Sequence, residues 1–116
     1  MRERSVAQLL GDYAMAAVNH REASRAGDYE KVNPAADALT EIVRVLRDRG
    51  DLARLLSLLN DDRVEVRGWA AAHSLEIAPE RAERVLETIA AGPKSLEEFS
   101  ARMVLREWRS GSLRFP

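Results

Sequence analysis

The sequence has no cysteine, which removes disulfide scaffolds, thiolate nucleophiles and cysteine-based metal sites at once. Histidine occurs only at His20 and His73, and neither has a second histidine at helical spacing. A zinc or iron centre therefore lacks the about three or four N, O or S ligands it needs. Aromatic residues make up 5% of the chain, too few to interleave with arginines on a nucleic-acid surface. Neither sign of charge dominates: 18 Lys and Arg stand against 19 Asp and Glu, for a net charge of −1. Such a balance gives no long-range attraction for nucleic acid or anionic lipid. Apolar runs fall far short of the about 20 residues that cross a bilayer, so no membrane is expected as a partner. Met1, Arg2, Glu3 and Arg4 open the chain where a signal sequence would be apolar, and a cytoplasmic location is the expectation. A Gly-rich phosphate loop and a Gly-x-Ser-x-Gly elbow are both missing. The acidic pairs Asp61-Asp62 and Glu97-Glu98 stand at expected helix starts, where capping and the helix dipole account for them. No catalytic residue, cofactor or metal is expected, and the chain reads as a non-enzyme.

What is present is helical periodicity from end to end, with 46% hydrophobic and 32% charged residues. At 116 residues the chain fits a single domain, 1–116. Ser5 and Gln8 have capping-box spacing, and Val6, Leu9, Leu10, Tyr13, Ala16 and Ala17 share a face of a first helix that ends at Gly27. For the second helix, Asp28 and Asn33-Pro34 compete as starts; the favoured reading is one early turn and a restart at Pro34. Its buried stripe is Ala35, Ala36, Leu39, Ile42, Val43 and Leu46, closed by Gly50. A short third helix capped by Asp51 carries Leu52, Leu55, Leu56 and Leu59. Asn60, Asp61 and Asp62 turn the chain and cap a fourth helix, with Val66, Trp69, Ala70, His73 and Ile77 on one side. Pro79 opens a fifth, carrying Ala82, Val85, Leu86 and Ile89. Ser95 and Glu98 form a second capping box that opens a sixth, with Leu96, Phe99, Met103, Val104, Leu105 and Trp108 apolar, before Gly111. Short connections dictate antiparallel hairpins, one-two, three-four and five-six. A plan that repeats after roughly 32 residues is that of a solenoid. The expected organisation is a hairpin over 1–50, repeats over 51–78 and 79–110, and a tail over 111–116.

The turn and helix Asn60-Asp61-Asp62-Arg63-Val64-Glu65-Val66-Arg67 through Ala70-Ala71 resembles the core of a HEAT repeat. Over a longer span, Leu55 to Leu59, Trp69-Ala70-Ala71, Pro79-Glu80, Ala82, Leu86, Phe99-Ser100-Ala101 and Glu107-Trp108 before Gly111 are similar to a small bacterial HEAT-like family known as a domain of unknown function. The resemblance implies an all-α fold, an armadillo-type α/α superhelix of about three stacked hairpins and about six helices, and implies no activity. Metal-binding HEAT hydroxylases place a Glu beside each ligand His, and neither His20 nor His73 has one following it. In place of an acidic inter-repeat turn the chain has Gly92-Pro93-Lys94-Ser95, so an Asp-to-Arg ladder cannot run through it.

One surface stands out. The sixth helix leaves a narrow polar stripe of Glu98, Arg102, Arg106 and Arg109, with Trp108 beside it near the open end of the stack. The plain reading is a solvated face with Glu98 paired to Arg102, and Trp108 in packing. The sharper one makes Arg102, Arg106, Arg109 and Trp108 a partner-binding edge for an acidic protein, since second helices line the concave side of HEAT stacks. On fold analogy the role would be an adaptor or a toxin-neutralising immunity protein. The alternative is a structural subunit that associates with itself, leaving the chain a monomer or a homodimer; nucleic acid is disfavoured.

Overall fold

A computed structural model describes residues 3–116, and all regular structure among them is helical. The α-helices are α1 (Val6–Ala26), α2 (Tyr29–Asp48), α3 (Val64–Ser74), α4 (Pro79–Ala90) and α5 (Leu96–Ser110), and a 3₁₀ helix, Leu52–Asn60, lies between α2 and α3. Six helices and no strand among the described residues match the all-α part of the expected fold class. The chain divides into two compact units, one ending at Leu55 and taking in Pro116, the other spanning Leu56–Phe115.

In the first unit, both bonds of the Ser5 capping box are made. The Gln8 amide donates to Ser5 Oγ at 3.1 Å and the Ser5 amide to Gln8 Oε1 at 2.7 Å. Gly27 ends α1 at φ 67°, a left-handed conformation that a Cβ would strain. The expected restart at Pro34 does not occur, because α2 begins at Tyr29 and carries Pro34 in its interior. The Asp28 carbonyl already accepts from the amides of Lys31 and Val32, at 3.1 and 3.2 Å, so a helical turn exists before the proline is reached. Pro34 lacks the amide that would meet the Glu30 carbonyl, and the exposure of Glu30 lets water take that place. Leu9, Tyr13 and Ala17 from α1 and Leu39, Val43 and Leu46 from α2 are fully buried as the two helices pack together. Each such aliphatic side chain is worth about 1.5–3 kcal/mol of burial.

The expected third α-helix is wound as 3₁₀. It is confined between the turn at Gly50 and the turn at Asp61, too short to repay α-helix nucleation. Leu52, Leu55 and Leu59 are buried all the same.

The cap expected of Asn60, Asp61 and Asp62 is not made; in the second unit the Asp61 carboxylate shapes the turn instead. Asp61 Oδ1 accepts from the Arg63 amide at 2.9 Å, and Arg63, which offers no side-chain capping bond, is the residue that precedes α3. Arg67 Nη1 donates to the carbonyls of Asp61 and Asp62, at 2.8 and 3.0 Å. Helix α3 buries Val66, Ala70, Ala71 and Ser74. Ile77, placed on that face by periodicity, lies beyond the end of the helix and is exposed. Helix α4 starts at Pro79 and buries Ala82, Leu86 and Ile89. Helix α3 packs against both α4 and α5, and α4 packs against α5. Among the described residues no helix is long and apolar enough to cross a membrane.

Candidate functional site

Helix α5 begins where Ser95 Oγ accepts the Glu98 amide at 3.0 Å and ends at Gly111, left-handed at φ 78°. The second capping box is thus half made, because the Glu98 carboxylate turns to Arg102 one helical turn on. Glu98 is buried at 7% exposure, which corrects its placement on an open polar stripe. Its position in the first turn, where the helix dipole favours a negative charge, and the Arg102 guanidinium together offset the cost of burying a carboxylate.

The inward stripe of α5 is therefore Glu98, Ala101, Leu105 and the half-buried Trp108. One residue step around the helix, about 100°, lies a second stripe of Leu96, Phe99, Arg102 and Arg106. Leu96 and Phe99 were assigned to the apolar face, yet they are 44% and 52% exposed. The Arg102 guanidinium lies 5.6 Å from the Phe99 ring centroid, a cation-π contact. Arg106, exposed one turn further, has no ion-pair partner among the described residues.

Trp108 and Arg109 are used differently. Trp108 Nε1 donates to Glu83 Oε1 of α4 at 2.6 Å, and Phe115 meets its ring edge-on at 6.2 Å. Arg109 lies 3.3 Å from Glu87 and 3.6 Å from Glu83. Both side chains fasten α5 to α4. Of the four candidate residues, Arg102 and Arg106 remain on the open edge, and Phe99 and Leu96 join them. Sequence reading missed those two because apolar type alone assigned them to the core.

The other candidates are structural in their surroundings. His73 is buried, its ring 5.8 Å from that of Trp69 and tilted by 31°. His20 is half-buried, and burial lowers its pKa from the usual 6.5. The hydrogen bond from Arg63 holds the Asp61 carboxyl below its ordinary value. Among the described residues no group of three or more His, Cys, Asp or Glu side chains is placed to hold a metal ion.

A second surface feature lies wholly within the first unit. Between α1 and α2 runs an open groove of about 590 Å³ lined by Ala16, Ala23, Ala26, Ala35 and Ala38 with Pro34. Buried Ala16, Ala23 and Ala35 form its floor. Glu22, Asp28, Glu30 and Lys31 line it too, three carboxylates against one ammonium. Lys31 sits 3.7 Å from Asp28, which leaves Glu22 and Glu30 uncompensated among the described residues.

Neither a protein-family model nor a curated protein matches the chain. In fold it is similar to the crystal structure of the protein RPA1889 from Rhodopseudomonas palustris CGA009, with a TM-score of 0.90 and 26% sequence identity, over 98% of this chain and 96% of that one.

Proposed function

We propose that this chain is a non-enzymatic protein-interaction module of HEAT-like hairpins, whose α5 edge engages an acidic surface of another protein. The observation that carries the reading is the exposed stripe Leu96, Phe99, Arg102 and Arg106. It combines an apolar ring, a guanidinium held over that ring and a second guanidinium with no carboxylate partner among the described residues. Aromatic and arginine side chains are the residue types that concentrate binding energy at protein interfaces. Covering the exposed part of the Phe99 ring would add apolar burial to the contact. The HEAT-like reading is supported by α3, which packs against both helices of the following hairpin, as stacked repeats require. The resemblance of the turn over 60–67 to a HEAT repeat also supports it, since Asp61 and Arg67 both tie that turn to the start of α3. An adaptor or a toxin-neutralising protein would be compatible with such an edge.

The test is affinity purification of the tagged chain from its host, in wild-type form and with Phe99→Ala plus Arg106→Glu. The wild type is expected to retain a stoichiometric companion and the variant to lose it, with the helical circular-dichroism signal intact in both. A companion retained by the folded variant would remove this edge from the interaction.

A further inference from the structure

The chain carries both halves of a fit. On α5 stands a ridge of large apolar and cationic side chains; between α1 and α2 lies a groove floored by alanines and edged by carboxylates, two of them uncompensated among the described residues. We infer that the groove receives the α5 ridge of a second copy of the chain. Leu96 and Phe99 would lie on the alanine floor, and Arg106 would meet Glu22 and Glu30, while Arg102 keeps its pairing with Glu98. This inference rests on the reading of the α5 edge as a binding surface and names its occupant.

Three physical features favour it. Alanines let a third helix approach at the about 8–10 Å axis separation of packed helices, and larger side chains on the approaching helix fill what the alanines leave open. The lengths agree: Ala16 to Ala26 and Leu96 to Arg106 each span ten helical steps, about 15 Å. The charges agree as well. Among the described residues Glu22 and Glu30 have no cation of their own and Arg106 has no carboxylate, and both faces lose less by desolvation when each supplies what the other lacks. Ridge and groove are different patches, so the contact is heterologous, and each copy offers one of each.

Complementation between two variants tests this with the full-length chain. One variant breaks the ridge, Phe99→Glu with Arg106→Glu, and the other breaks the groove, Glu22→Arg with Glu30→Arg. Sedimentation velocity is recorded at low salt from micromolar to millimolar protein. The wild type is expected to show concentration-dependent association, and each variant alone to associate about tenfold or more weakly. Mixed together they should form a one-to-one complex, because one keeps its groove and the other its ridge. Recovery in the mixture also shows that neither variant failed by misfolding. A wild type that stays monomeric at every concentration overturns the inference, as does association that survives both variants, or a mixture that forms no complex. If the wild type is monomeric while Phe99→Ala plus Arg106→Glu still releases a different protein in the affinity purification, self-association alone fails and the binding role of the α5 edge stands.

Discussion

His20 sits half-buried on α1, and its surroundings disfavour the charged imidazolium, so its folded-state pKa lies below 6.5. The unfolded chain then takes up the proton more readily than the folded one. Stability attributable to this residue is complete above pH 6.5 and declines as the pH falls through the folded-state value. An NMR titration should place the His20 midpoint below 6.5, and His20→Gln should flatten that part of the stability profile. A midpoint at or above 6.5 would contradict the burial argument. Glu98 and Phe99 show a different residue-scale effect. They are neighbours in sequence, and residue type alone would bury the ring and expose the carboxylate. The structure reverses them, because Ser95 and Arg102 satisfy groups of Glu98 locally and leave Phe99 under the Arg102 guanidinium.

Among the elements, α2 is the one that works against its own sequence. Pro34 removes one helical hydrogen bond where alanine would supply it, a penalty of up to about 3 kcal/mol in a helix interior. Pro34→Ala should raise stability in urea by about 1–3 kcal/mol, reduced by the extra freedom it returns to the unfolded chain. An unchanged or lower urea midpoint would mean that the freedom proline removes from the unfolded chain outweighs the missing bond. The Ser5 box and the ends at Gly27 and Gly111 were legible because their chemistry is complete within a few residues. So were the buried stripes of α2 and α4, which follow strict helical spacing. The continuous α2 and the 3₁₀ winding of Leu52–Asn60 were not, since each depends on a balance between local strain and burial that residue types do not reveal. Of the candidate edge, Arg102 and Arg106 were found by charge, while Phe99 and the alanine groove needed the pairing of α5 with α4 and of α1 with α2.

For the molecule as a whole, the near balance of charges, a net −1, means that uptake of a single proton by a histidine brings it to neutrality. Long-range repulsion between copies is therefore weak close to neutral pH, and short-range features of the surface decide what the chain touches. The distribution of chromophores has a separate consequence. Both tyrosines, Tyr13 and Tyr29, belong to the unit ending at Leu55, whereas Trp69 and Trp108 belong to Leu56–Phe115. Absorbance of the phenols and fluorescence of the indoles thus observe different halves without any label. Superimposable melting curves from the two signals would establish that the halves unfold as a single cooperative system, and two distinct midpoints would establish that they are thermodynamically separate. Indole emission in particular should follow the docking of α5 on α4, because the Trp108 N–H is held by a carboxylate of the neighbouring helix.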